Sequence, residues 1–185
     1  MATIFIFHGS YGHPEENWFP WLRDELAKLG HEVYVPAFPT PEGQELEIWL
    51  DVFKKYLPLL DPETVLVGHS CGANFALRLL ERIPTKVKAC FLVAGPIKPL
   101  NNKFDEVHMS FVDTPLDWEK IKSRAEHFYP IYSEDDPYVS PEHGKITSEK
   151  LGTKLIMVQK AGHFNARAGY VKFELLLDLI KKELA

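Results

Sequence analysis

Residues 64–72 read Thr-Val-Leu-Val-Gly-His-Ser-Cys-Gly, an apolar run that stops at a serine flanked by glycines. The run Thr64–Val67 is rich in β-branched residues, which is typical of a buried strand. From Ala73 to Leu80, apolar residues recur at the spacing of one helical face. The segment therefore predicts a strand, a tight turn that carries Ser70, and a helix.

Short apolar runs alternate with longer amphipathic stretches on both sides of this segment. The predicted strands are Thr3–Phe7, His31–Ala37, Thr64–Val67, Val87–Val93, Phe128–Ser133 and Leu155–Val158. The predicted helices are Trp18–Leu29, which ends at Gly30, then Leu46–Leu57, Ala73–Leu80, one that begins near Pro141, and Phe173–Leu184. Apolar strands that alternate with helices indicate a parallel sheet covered on both faces. We expect one α/β domain over residues 1–185, a three-layer sandwich of about six parallel strands.

The least regular part of the chain runs from Pro96 to Arg124. It contains three prolines and the turn-like pair Asn101-Asn102, with one short helical stretch near Asp117 to Arg124. We interpret it as a connection with modest helix content. The prediction is a chain with no large lid domain, in which this segment is the one candidate for a partial cover.

Composition limits the possible functions. The chain has 185 residues, of which 45% are hydrophobic and 12% aromatic, enough for a packed core and too much for a disordered protein. Its 21 basic and 26 acidic residues give a net charge of −5, which argues against binding a nucleic acid through the phosphate backbone. From the distribution of apolar and basic residues, we predict neither a targeting segment nor a membrane-spanning segment. Because only Cys71 and Cys90 are present, a disulfide-stapled fold is not expected, and we predict a cytoplasmic protein.

The segment Gly68-His69-Ser70-Cys71-Gly72 has the pattern Gly-x-Ser-x-Gly between a predicted strand and a predicted helix. That context is typical of a nucleophile elbow, in which a sharp turn exposes the serine hydroxyl above the carboxyl edge of a sheet. The following helix N-terminus would favour developing negative charge. The alternative, a structural glycine turn with an inert serine, is less well supported because both flanking elements are present.

An activated serine needs a base and an acid that orients the base. His163 follows the last predicted strand within Ala161-Gly162-His163, and the acids Glu134-Asp135-Asp136 follow the fifth strand. Both segments would therefore lie at the same sheet edge as Ser70, in the chain order serine, acid, histidine. No spacing typical of a metal site or of a dinucleotide or nucleotide-phosphate loop occurs, so we predict neither a metal nor a cofactor.

An oxyanion hole would need two backbone N–H groups. One is predicted from Cys71, the residue after the nucleophile, and the other from Ser10 in the loop after the first strand. Cys71 is assigned for its backbone, since no base is assigned to its thiol. Side chains predicted to contact the substrate are Tyr11, Trp18, Met109 and Phe164.

With these residues in view, the sequence resembles the small family of α/β-hydrolases typified by retinoblastoma-binding protein nine. The segments that carry the resemblance are the opening strand into His8-Gly9, Glu16–Leu22, Gly30–Val33, Val35-Pro36, Trp49-Leu50, Leu66–Ser70, Asp135–Pro137 and Gly162–Asn165. The resemblance implies an α/β-hydrolase-like fold and a triad of Ser70, Asp136 and His163. The founding name implies a partner bound through a Leu-x-Cys-x-Glu motif, which this sequence lacks, so no protein partner is carried over.

We therefore predict a serine hydrolase that cleaves small carboxylic esters, with amides and thioesters as further candidates. A different class of function, a protein- or ligand-binding module on a hydrolase scaffold, is the main alternative. An intact triad argues against it, because a binding module has no need of all three residues. A haloperoxidase or a dehalogenase is a weaker alternative, since dehalogenases of this fold generally carry Asp at the position of Ser70.

Overall fold

The computed structural model describes residues 1–185, and its six strands form one parallel sheet. The strands are β1 (Thr3–Phe7), β2 (Glu32–Tyr34), β3 (Val65–His69), β4 (Val87–Val93), β5 (Ala125–Ser133) and β6 (Ile156–Val158). The helices are α1 (Phe19–Lys28), α2 (Leu46–Phe53), α3 (Cys71–Leu80), α4 (Asp105–Val112), α5 (Trp118–Ser123), α6 (Pro141–Leu151) and α7 (Glu174–Glu183). Two 3-10 helices span Lys54–Leu59 and Ala166–Ala168. The predicted α/β sandwich of six parallel strands is confirmed.

Both faces of the sheet are buried, which explains why its strands read as unbroken apolar runs. Successive side chains of a strand point to opposite faces. In β1, Phe5 and Phe7 pack with α2 and α3 in a core cluster of 24 buried residues. Ile4 and Ile6 pack with α1 and α7 in a second cluster of 19. The sheet therefore separates two hydrophobic cores, as expected for a three-layer sandwich.

The sheet order β2-β1-β3-β4-β5-β6 reverses between β1 and β3. At this switch point the loops after the two neighbouring strands leave in opposite directions, and the crevice between them is the usual ligand site of an open α/β sheet. The loop after β1 carries Ser10 and the turn after β3 carries Ser70. The topology thus brings these two segments together at the carboxyl edge of the sheet.

Several predicted boundaries were wrong. The second strand covers only Glu32–Tyr34, and the fifth begins at Ala125, three residues before the predicted start. The connection from Pro96 to Arg124 contains α4, an eight-residue helix that the sequence pattern did not reveal. Its inward residues, Phe111 and Val112, pack against the larger core, so long-range burial stabilises a helix whose local signal is weak.

The longest helix, α6, has 11 residues. No helix combines the length and apolar composition that crossing a membrane requires.

Candidate active site

The turn between β3 and α3 holds Ser70 in a conformation that few non-glycine residues adopt, with φ 56° and ψ −125°. The neighbouring glycines are required by close backbone contacts. A β-carbon at Gly68 would lie 2.4 Å from the Cα of Ala73, and one at Gly72 would lie 2.3 Å from the carbonyl oxygen of Phe7. The strained geometry and its glycine supports agree with the predicted nucleophile elbow.

The loop after β1 approaches the serine turn closely. The backbone of Gly9 lies against Ser70, and Cys71 is the first residue of α3, so its N–H has no partner within the helix. The Ser10 N–H, in the facing loop, makes no hydrogen bond with another backbone group. Two free backbone donors therefore flank the Ser70 turn.

Asp136 and His163 form a buried pair. Nδ1 of His163 lies 2.7 Å from Oδ2 of Asp136, and the Asp136 side chain is fully buried. The other carboxylate oxygen of Asp136 accepts hydrogen bonds from the backbone N–H groups of Tyr138 and Val139, at 2.8 and 3.0 Å. The carboxylate is thus fixed by three donors, and it fixes the orientation of the imidazole ring.

The neighbouring acids occupy different positions. The carboxylate of Asp135 accepts hydrogen bonds from Ser133 Oγ (2.6 Å) and from the N–H of Gly162 (3.0 Å), and these bonds lower its pKa. Asp135 therefore contacts the backbone of the loop that carries His163 and not its ring. Glu134 is exposed to solvent.

Ser70 and His163 line the same cavity, which has a volume of about 270 Å³. Asp136 lies behind the imidazole ring, outside the cavity wall. The structure therefore brings together the three residues proposed as a triad, with the acid buried and the serine and histidine facing the cavity.

The cavity lining combines aromatic and charged side chains. One wall is aromatic: the ring of Tyr11 is in edge contact with Phe104, Phe104 with Tyr138, and Tyr138 with His163, at centroid distances of 6.0, 5.2 and 5.1 Å. Glu16 and Arg167 also line the cavity. Partial burial raises the pKa of Glu16.

Three of the four predicted substrate contacts lie elsewhere. Trp18 and Phe164 are completely buried in the core between the sheet, α1 and α7. Met109 is 40% exposed and lies outside the cavity, because the face of α4 that borders the cavity is that of His108. A residue one position further on is rotated by about 100° around the helix. Tyr11 does line the cavity, as predicted.

Gln44 was not singled out from the sequence, although it connects the two loops of the site. Its Nε2 donates to Ser10 Oγ at 2.6 Å and approaches Cys71 Sγ at 3.5 Å, while its Oε1 accepts from the Thr40 hydroxyl. That hydroxyl also accepts from the N–H of Tyr11 at 2.7 Å. No local pattern could have identified Gln44, which lies 34 residues from Ser10 along the chain.

Burial determines the protonation of several neighbouring groups. It raises the pKa of the Cys71 thiol to about 12, so this side chain stays neutral and unreactive at physiological pH. Burial also lowers the pKa of His8, whose Nε2 accepts from the N–H of Phe38 and whose Nδ1 donates to the Gly9 carbonyl. A neutral His8 thus connects the Gly9 loop to Phe38 through two hydrogen bonds.

No group of three or more His, Cys, Asp or Glu side chains is arranged to hold a metal ion.

Comparison with known proteins identifies the family. Residues 4–182 match the family model described as serine hydrolase. This chain belongs to that family. YdeN of Bacillus subtilis (strain 168) is 31% identical over 181 residues, which cover 96% of this chain and 93% of YdeN. The serine hydrolase RBBP9 of Rattus norvegicus is 29% identical over 184 residues, 99% of this chain and 95% of its own length.

Solved structures share the fold of this chain. The crystal structure of the ydeN gene product superposes with a TM-score of 0.92 at 30% identity, covering 99% of this chain and 98% of the other. Est1E from Butyrivibrio proteoclasticus shares the fold, with a TM-score of 0.75 at 16% identity and coverage of 99% and 88%. The predicted α/β-hydrolase fold and the predicted membership of the RBBP9 family are both confirmed.

Proposed function

We propose that this serine hydrolase cleaves small carboxylic esters through an acyl-enzyme formed on Ser70, with His163 as general base and Asp136 as the acid that orients it. The observation that carries the proposal is the 2.7 Å bond between Asp136 and His163 beside a cavity that His163 shares with Ser70. A buried carboxylate bonded to Nδ1 leaves Nε2 free to accept the serine proton.

The proposed reaction has two halves. Ser70 Oγ attacks the acyl carbon while His163 Nε2 takes its proton, and the same nitrogen returns the proton to the departing alcohol oxygen as the ester bond breaks. A water molecule, deprotonated by His163, then attacks the acyl-enzyme, and the acid product leaves with Ser70 Oγ reprotonated. Asp136 stabilises the imidazolium that forms in each half.

The negative charge that develops on the carbonyl oxygen would be bound by the N–H groups of Ser10 and Cys71. The proposal is supported by their position on either side of Ser70, by the lack of a competing backbone acceptor, and by the N-terminus of α3. Gln44 is proposed to hold the two segments at a constant separation.

The size of the cavity supports a small substrate. Its volume of about 270 Å³ lies just below the usual range of small-molecule sites, roughly 300–1,000 Å³. An ester loses an alcohol, which leaves more readily than the amine of an amide, and His163 can protonate it without a second acid. Esters are therefore the substrate class that we propose first. Amides and thioesters are the related substrates to compare.

A fluorophosphonate probe tests the proposal directly, because it reacts with activated serines. Intact-mass measurement should show a single adduct on the wild-type protein and none on Ser70→Ala. Ser110→Ala, which changes a serine outside the cavity lining, is the matched control and should label fully. Labelling that persists in Ser70→Ala would refute the mechanism, and an unlabelled wild-type protein would favour a binding module on the hydrolase scaffold.

The cytoplasmic location and the absence of a nucleic-acid partner stay predictions, and no protein partner is proposed. Two buried, unpaired cysteines are compatible with a reducing compartment.

A further inference from the structure

The loop that carries His163 is attached to the core through two consecutive carbonyl groups. The His163 carbonyl oxygen lies 2.8 Å from Nε2 of His69, and the Phe164 carbonyl accepts from Nε1 of Trp18 at 2.9 Å. Both donor side chains are buried, His69 with 4% exposure and Trp18 with none. The two rings also contact each other, with their centroids 6.0 Å apart.

This loop needs such attachment because its backbone is in an uncommon conformation. Gly162 and Phe164, the residues on either side of His163, have φ values of 52° and 49°. A bulky residue such as Phe164 adopts a positive φ only where the surrounding structure holds it there. The hydrogen bonds from His69 and Trp18 are made to the two carbonyl groups at this bend, so they stabilise its backbone conformation.

The environment of His69 determines which of its nitrogens carries a proton. Burial lowers the pKa of His69 to about 3, so the ring is neutral at any working pH. Nε2 faces a carbonyl oxygen and must carry the hydrogen, and Nδ1 has no hydrogen-bond partner. A neutral ring 4.9 Å from the His163 ring adds no positive charge that would oppose formation of an imidazolium.

The position of His69 in the chain makes the bond more than a loop anchor. His69 is the last residue of β3 and directly precedes Ser70, so its side chain links the serine turn to the backbone of the base. Between them, the His69 bond and the Asp136 bond hold His163 from its backbone and from its ring.

We propose that His69 is a positioning residue: its Nε2–H fixes the backbone of His163 relative to Ser70, and Trp18 Nε1–H supports the same loop one residue later. The inference rests on the proposed function, since it assigns His163 as the base. It also assigns a role to Trp18, which was predicted from the sequence to contact the substrate but does not line the cavity.

Substitutions of His69 separate the hydrogen bond from the bulk of the ring. The amide nitrogen of glutamine can occupy the place of Nε2, whereas that of asparagine is too short to reach it. We expect His69→Gln to keep most activity, and His69→Asn and His69→Leu to lower kcat by about 10- to 100-fold with KM within about twofold, the size of effect expected for a small misplacement of a catalytic group. His127→Gln, on an exposed side chain of β5, is the matched control.

Trp18→Phe keeps the ring and removes only the N–H, so it tests the second bond if the His69 variants fold poorly. We expect a smaller fall in kcat with the same unchanged KM. Trp21→Phe, on the same helix α1, controls for loss of an indole. A wild-type kcat in both a folded His69→Leu and a folded Trp18→Phe would overturn the proposal.

An NMR measurement distinguishes this proposal from the proposed function. The Nδ1 proton of His163, in a short bond to Asp136, should give a low-field signal that is present in the wild type and in His69→Gln and is broadened or shifted upfield in His69→Asn. This readout needs no substrate. A wild type that gives the signal but does not label with the probe would refute only the proposed function, whereas an unchanged signal in His69→Asn would refute the positioning role.

Discussion

Gly9 lies so close to Ser70 that a β-carbon at position 9 would be 2.8 Å from the serine Cβ and 3.3 Å from its Oγ. The loop after β1 can approach the serine turn this closely only because Gly9 has no side chain. The same approach sets the distance between the N–H of Ser10 and the serine hydroxyl. A glycine that leaves space for the side chain proposed to react has a different role from one that relieves backbone strain.

Gly9→Ala should therefore impair catalysis more than stability. The added methyl group must displace either the loop or the Ser70 side chain, and we expect kcat to fall about 100-fold, as for a misplacement near 1 Å. Gly30→Ala is the matched control, because Gly30 has φ 86° and open space around it. It should cost about 1 kcal/mol of stability through backbone strain and leave kcat unchanged. Thermal melts and steady-state kinetics on both variants check this, and the reverse pattern would contradict it.

The two neighbouring aspartates should differ sharply in their effect on catalysis. Asp136→Asn removes the charge that orients His163 and stabilises its imidazolium, so kcat should fall by up to about 10⁴. Asp135→Asn keeps an oxygen that can accept from Ser133 Oγ and from the N–H of Gly162, so it should stay within a few-fold of wild type. Rates of p-nitrophenyl acetate hydrolysis measure both. An inactive Asp135→Asn beside an active Asp136→Asn would refute the assignment of the acid.

Gln44→Ala should lower kcat by about tenfold, which is less than the 10²–10³ expected for losing an oxyanion donor itself. The change removes the bonds to Ser10 and Thr40 that hold the loop after β1, while both backbone N–H groups remain. Gln159→Ala, which alters the chain's other glutamine at an exposed position, is the control. If Gln44→Ala changed KM alone, Gln44 would act on substrate binding and not on the loop.

Among p-nitrophenyl esters, kcat/KM should be highest for short acyl chains and fall for long ones. Each buried CH₂ is worth about 0.8 kcal/mol, and a cavity of about 270 Å³ can bury only a few. Phe104→Ala, which shortens the aromatic wall, should move the optimum to longer chains. Met109→Ala, on the outer side of α4, should leave it unchanged. A steady rise through the dodecanoate ester in the wild type would mean a deeper groove than this cavity.

Stability should fall as the pH drops from about 7 to 5. Burial lowers the pKa of His69 to about 3 and that of His143 to about 4, whereas both titrate near 6.5 in the unfolded chain. Below pH 6.5 the unfolded state therefore binds protons that the folded state does not, which lowers the free energy of unfolding by up to about 1.4 kcal/mol per pH unit for each histidine. Urea unfolding across this range measures the slope. His69→Gln should show a shallower slope than the wild type; equal slopes would contradict the expectation.

Much of the fold and part of the site could be predicted because the signals are local. The strand, the glycine-flanked turn and the helix around Ser70 lie within about 17 residues, and each follows from residue types at close spacing. The parallel topology then places every loop that follows a strand at one edge, so the segments with Ser70, Asp136 and His163 were expected to meet. The eight residues of α4 escaped prediction because their helix depends on burial against α3 more than on their own pattern.

Local sequence thus determined which elements form, where the tight turns lie and which loops share an edge, since backbone propensity and hydrophobic period act over a few residues. Tertiary structure alone decided what each side chain contacts. It turned Trp18 and Phe164 inward, brought Gln44 to Ser10 across 34 residues, and set His69 against the carbonyl of His163, 94 residues away. These contacts depend on how whole helices pack on the sheet. The sequence around a side chain therefore does not indicate which distant residue it will contact.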